Sequence, residues 1–193
     1  MKKGRRLQWI GLGLILCGFA ALLAGNLLGQ IAQKQNRQAL SQIQSILPPA
    51  TPGIMDQYAD MHMPSLEVDG RDYIALLQVP AHGVALPVRS QWHSLGAAYC
   101  PSRFHGTAYD GSLVIGGSDR EGQLAFLSKL QNGDQVSITD MTGAQFAYRV
   151  FLIYRTSSAT AESLVSENYD LTLFARSSYG TEYIVVHCMA EAA

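Results

Sequence analysis

The chain has 193 residues and a mass of 21.0 kDa, enough for one membrane-crossing segment and one domain of roughly 120–150 residues. A hydrophobic content of 48% excludes a disordered protein, and a charged content of 15% is low for a fully soluble one. The net charge of −1 conceals an asymmetry: Lys2, Lys3, Arg5, Arg6, Lys34 and Arg37 all precede the first acid, Asp56, so residues 38–193 carry 8 basic and 15 acidic side chains, a net of −7. That balance argues against a nucleic-acid partner, which needs clustered Lys and Arg. Three cysteines without a C-x-x-C pair exclude a thiol-ligated zinc site of the usual spacing, and neither a metal nor a cofactor is expected.

Residues 1–8 form a basic N-terminus. From Trp9 to Gly29 the run WIGLGLILCGFAALLAGNLLG holds no charge over 21 residues. As a helix it spans about 30 Å, the thickness of a hydrocarbon core. It exceeds the apolar region of a cleaved signal, and no A-x-A site follows, so an uncleaved anchor is expected, with a cleaved signal as the alternative. Leu14-Ile15-Leu16 before Cys17 speaks against lipidation there. Four basic residues precede the run and two follow, which places the N-terminus in the cytoplasm and the remainder outside a single-pass membrane segment. Residues 30–70 are read as a stalk and linker. Leu40, Ile43 and Leu47 have helical spacing, which predicts an exposed amphipathic helix, and ILPPATPG (46–53) ends it.

The domain is expected over 71–193. Tyr73–Val79, Val84–Val88, Leu113–Gly116, Gln135–Thr139, Gln145–Tyr154, Asp170–Ala175 and Glu182–His187 are short apolar runs with strand character. Asn132-Gly133-Asp134, Thr142-Gly143 and Tyr179-Gly180 supply turn chemistry between them. Gln123–Gln131 predicts the one helix, with Phe126, Leu127 and Leu130 on its apolar face. Seven strands in about 120 residues indicate a small closed barrel or a sandwich.

Three stretches carry a family likeness: VPAHGVALPV (79–88), GSLVIGGSDREGQLAFLSKLQNGDQVSITDMTGAQFAYRV (111–150) and DLTLFARSSYGTEYIVVHC (170–188). Together they resemble a sortase, a membrane-anchored cysteine transpeptidase that attaches proteins to the Gram-positive cell wall or polymerises pilins. The variety is most similar to class D or an unassigned clostridial-type group. The resemblance spans residues 72–188 and implies a mainly β, sortase-like closed eight-stranded barrel with short helices behind one N-terminal transmembrane helix. It implies a cell-membrane protein whose C-terminal domain is extracytoplasmic.

The residues that carry the family's chemistry are missing. The histidine expected after V-I-x-G is Ser118, the cysteine expected to close T-L-x-T-C is Arg176, and the arginine of the next strand falls at Tyr183. In the family a thiolate attacks the sorting-signal carbonyl, histidine protonates the leaving amine and arginine steadies the oxyanion. A guanidinium stays protonated and has no lone pair to attack with. The resemblance therefore implies a degenerate homologue, a peptide- or protein-binding module in cell-wall protein or pilus assembly. Its partners would be a sorting-signal-like peptide, a pilin or an active sortase, and Arg176 would serve as a ligand-binding cation. A salt bridge from Arg176 to Asp119 or Glu182 is the alternative.

Strand and loop geometry constrains the residues that could replace those catalysts. His187 and Cys188 are strand neighbours, whose side chains point to opposite faces. Cys100 and His105 share YCPSRFHG, read as a loop in which they could approach. Ser177 and Ser178 have no histidine at the expected base position. Cys100 and Cys188 also admit a disulfide, favoured by an extracytoplasmic compartment and worth about 4–5 kcal/mol in the chain-entropy picture, or else remain two separate thiols. Three functions thus stand open: binding module, transpeptidase or hydrolase using replacement residues, and structural envelope protein.

Overall fold

The computed structural model describes residues 2–53, 62–93, 97, 99–165, 168–178 and 180–191. Contacts divide the chain into two units, residues 1–35 and 36–193. The first is helical. Helix α1 runs Lys2–Ile46, and its part from Gly11 is long and apolar enough to cross a membrane, with mean hydropathy 2.0 in its most apolar window. Leu14, Ile15, Leu16 and Phe19 are all more than half exposed.

The second unit begins with the last turns of α1. Ala39 and Ile43 are buried against Val68, Tyr73 and Leu76, with Leu40 and Leu47 packed at the margin. Asn36 donates to the Tyr99 carbonyl at 2.8 Å. The amphipathic spacing of Leu40, Ile43 and Leu47 is thus a packing face on the domain and not an exposed stalk. The expected linker also enters the sheet. β1 (Thr51–Pro52) pairs parallel to the start of β8 (Ala144–Thr156), and β2 (Leu66–Val68) pairs antiparallel to β3 (Arg71–Val79). Residues 54–61 of that linker lie outside the described residues.

The remaining strands are β4 (Val84–Arg89), β5 (Ser102–His105), β6 (Leu113–Ser118), β7 (Gln135–Asp140), β9 (Leu171–Arg176) and β10 (Tyr183–Ala190). Pairing runs β3-β4-β5-β6-β9-β10-β8-β7 and returns from β7 to β3, a closed ring of eight. Closure leaves no free edge within the ring. All seven strand expectations fall on observed strands. β5 is the addition: it lies in the segment read as a loop, since SRFH is too short and too polar to show a strand period.

The barrel interior holds Ile74, Leu77, Leu113, Ile115, Val136, Ile138, Phe146, Tyr148, Leu171 and Leu173, each buried. The Thr142-Gly143 turn is held by the buried carboxylate of Asp140. It accepts from the Thr142 and Ala144 amides at 2.8 and 2.9 Å, from the Thr142 hydroxyl at 2.7 Å and from the Tyr109 hydroxyl at 2.6 Å. Those four donors replace the water a buried carboxylate loses.

The expected helix over 123–131 is a 3-10 helix over Leu124–Lys129. Leu124, Phe126 and Leu127 are buried beneath it and Leu130 just beyond. A six-residue segment is too short for a self-supporting α-helix, and the tighter helix serves such short pieces.

Candidate functional site

β9 is the axis of the site. It lies between β6, to which it runs parallel, and β10, to which it runs antiparallel. In register, Arg176 stands opposite Ser118 on one side and Tyr183 on the other. Ser118 thus shares one row across three strands with Arg176 and Tyr183, more than fifty positions further along the chain. Paired residues of neighbouring strands point to the same face, with cross-strand Cβ atoms about 5 Å apart. The structure therefore brings together the three positions named from the sequence motifs.

The row opens onto a cavity of about 470 Å³ on the outer face of the sheet. Ser118, Arg120, Arg176, Ser177 and Ser178 contribute its polar lining. Trp92, Phe104, Leu164, Phe174 and Tyr183 contribute its apolar lining. The three rings of Trp92, Phe104 and Phe174 meet with centroids 5.3–5.5 Å apart, two of the contacts edge to face, the arrangement aromatic quadrupoles favour. Gly116 makes this cluster fit. A Cβ there would come within 2.2 Å of the Phe174 ring and 2.6 Å of the Trp92 ring.

Ser118 is nearly buried and donates to Gln123 Oε1 at 3.1 Å, so its hydroxyl is tied to a neutral amide. An amide oxygen is not basic enough to generate a serine nucleophile. Arg176 is exposed and has no ion pair among the described residues. Asp119, its proposed partner, instead accepts from the Ser178 amide at 2.7 Å, and the Asp119 amide donates to the Arg176 carbonyl at 3.1 Å. Glu182, the other proposed partner, is exposed and its carbonyl accepts from the Ser177 amide at 2.8 Å. The salt-bridge alternative is not what the structure holds. Arg120 leans toward the same end, with Nε donating to Ser178 Oγ at 3.4 Å and the guanidinium 6.0 Å from the Tyr99 ring. Tyr179, part of an expected turn, lies outside the described residues.

The other candidates are separated. Cys100 is buried among Ile43, Tyr73 and Leu76, with its thiol on the Pro87 carbonyl at 3.5 Å, and His105 sits exposed at the far end of β5. Burial drives the Cys100 thiol up to about 12, against the opposing pull of Arg89 and Arg71. It is a neutral thiol, unsuited to attack. Cys188 points into the barrel core, where burial again raises it to about 12. The two sulfurs occupy different clusters and both are free, so the expected disulfide is not formed. His187 projects to the opposite face, as strand alternation requires. There its Nδ1 meets Thr172 Oγ1 at 2.9 Å and its ring stacks on Tyr169 at 4.2 Å. Burial lowers its pKa, and Thr172 is itself only 2% exposed, so this pair has no access for a substrate.

Sequence reasoning missed the aromatic wall and Arg120. Phe174 could have been found, since it lies two residues before Arg176 on one strand face. Phe104 comes from the segment read as a loop, and Trp92 from one given no element; neither carries a local signal. No group of three or more His, Cys, Asp or Glu residues suited to a metal occurs among the described residues.

No protein-family model matches the chain, and no curated protein matches it. Solved structures do. A Clostridium perfringens sortase D5 transpeptidase is 24% identical with a TM-score of 0.53, covering 63% of this chain and 80% of its own. Streptococcus agalactiae sortase C1 is 19% identical with a TM-score of 0.55, covering 84% and 92%. Clostridium perfringens sortase C, solved with the C-terminal cell wall sorting motif, is 18% identical with a TM-score of 0.53, covering 69% and 75%. The domain has a sortase-like fold: a mainly β, closed eight-stranded barrel with short helices, behind one apolar N-terminal helix.

Proposed function

We propose that this protein is a membrane-anchored, extracytoplasmic sortase homologue that has lost the family's chemistry and binds a peptide in the groove the chemistry left behind. The observation that carries this reading is the row Ser118–Arg176–Tyr183. It stands where the motifs of an active relative would put histidine, cysteine and arginine, and it opens into a cavity sized for a small ligand. A hydroxyl held by an amide, a protonated guanidinium and a phenol supply neither a nucleophile nor a general base. Peptide binding is supported by the structural neighbour solved with its sorting motif, and by the aromatic wall. Anchoring is supported by the uncharged run of α1 and its basic flanks. A place in cell-wall or pilus assembly, beside a pilin or an active sortase, follows from the fold by analogy.

The test is to place the full chain in lipid nanodiscs, add sorting-signal peptides with an amine acceptor, and measure binding by anisotropy and cleavage by mass spectrometry. Saturable binding without turnover is expected. Turnover abolished by Ser177→Ala would establish an enzyme with replacement residues. Absence of both would leave a structural role in the envelope.

A further inference from the structure

The charge at the groove's end is unusual for this domain. Residues 38–193 carry a net of −7, yet the described cavity lining contains two of their eight basic side chains and no carboxylate. Among the described residues neither guanidinium has an ion pair, and Arg120 donates to a serine hydroxyl. The Asp119 carboxylate at this end is engaged by the Ser178 amide at 2.7 Å, and a ligand carboxylate between the two guanidiniums would gain charge-assisted hydrogen bonds from both. Beside them the floor becomes apolar. Phe174 precedes Arg176 by two residues on the same strand face, so both side chains rise into the one cavity.

Cations beside an apolar floor suit a ligand that carries a carboxylate next to an apolar side chain. We propose that the groove recognises the free C-terminal end of a peptide. The α-carboxylate would sit between Arg176 and Arg120, and an apolar side chain would lie against Trp92, Phe104 and Phe174. This rests on the binding-module reading and deepens it, because it names which part of a peptide is bound. Guanidinium pairs suit a planar carboxylate, through two-pronged charge-assisted hydrogen bonds. The desolvated aromatic box adds affinity for an apolar neighbour.

The experiment uses the full chain in nanodiscs and dye-labelled pentapeptides ending in Leu-Thr. One has a free carboxylate, one a C-terminal amide, one an amide with an internal Asp, and one a free carboxylate with Ser in place of Leu. The free-acid Leu peptide is expected to bind at least about tenfold tighter than its amide. Arg176→Gln and Arg120→Gln are each expected to erase that difference, whereas Arg155→Gln, the same charge change outside this cavity, should keep it. Thermal melts confirm that each variant is folded. Equal binding of acid and amide would overturn recognition of the chain end while leaving the binding module intact. Tight binding of the internal-Asp amide would likewise reassign the cations to a side-chain carboxylate. An acid preference that survives both arginine variants would overturn the assignment to these residues. Binding of none of the four would overturn the module and this inference together.

Discussion

The two faces of β6, β9 and β10 differ in how they were constrained. Inward, Leu113 and Ile115, then Leu171, Leu173 and Ala175, then Ile184, Val186 and Cys188, form one apolar layer of the barrel core. Outward, the same strands alternate through Val114, Gly116 and Ser118, Thr172, Phe174 and Arg176, and Tyr183, Val185 and His187. The inner face answers to burial, where any polar replacement incurs a desolvation cost. The outer face keeps an apolar floor at Val114, Phe174 and Val185. Its top row faces the cavity, where a side chain can change without unfolding the protein. The scaffold motifs are therefore readable, while the positions at their ends, Ser118, Arg176 and Tyr183, are free to vary.

The largest effect should come from the inner face. Leu173→Ala removes a fully buried side chain and is expected to cost about 2–5 kcal/mol, read by chemical denaturation; a loss under about 1 kcal/mol would deny that this layer is packed core.

On the outer face, Gly116→Val inserts atoms into the Phe174 and Trp92 rings. It should cost about 1–3 kcal/mol and shift Trp92 fluorescence toward a more exposed indole, best seen in a Trp9→Phe background. Unchanged emission would mean that Trp92 does not rest on this floor.

The top row is tested by the residues the family motif would place there. Ser118→His, Arg176→Cys and Tyr183→Arg together should raise labelling by a sorting-signal peptide with a thiol-reactive warhead by about tenfold over Arg176→Cys alone, since nucleophile, proton carrier and oxyanion donor act as a unit. Equal labelling would show that the row does not form one site.

His187 tests the lower part of the same face by pH. Burial depresses its folded pKa, so the unfolded chain binds the proton more readily. The stability it contributes is fully present above the unfolded value and is lost as pH falls through the folded one. The protein should therefore be less stable at pH 5 than at pH 7.5, and His187→Gln should flatten that part of the dependence. An unchanged slope would mean that another group titrates. The smallest effect belongs to Arg176→Gln, expected within about 0.5 kcal/mol of wild type because the side chain is exposed and unpaired. A larger loss would make Arg176 a structural residue and the unoccupied cation pair an illusion.

The sequence by itself determined the apolar helix, the seven strands, the turns at Gly133 and Gly143 and the motif ends at Ser118, Arg176 and Tyr183. Each is set by a period, a backbone requirement or a motif contained in a few consecutive residues: Gly133 and Gly143 have φ of 95° and 88°, a conformation that favours glycine. Only the tertiary structure decided what those pieces do to one another. Ile43 is buried because β2 and β3 offer it a surface, and SRFH becomes a strand because β4 and β6 flank it. Leu124–Lys129 tightens to a 3-10 helix against the barrel. Arg120, Trp92 and Phe104 join Arg176 from segments with no local signal, since a site built across strands is fixed by register and register is a property of the closed barrel. Cys100 and Cys188 stay apart for the same reason: only the fold sets the distance between them, and it buries them in different clusters.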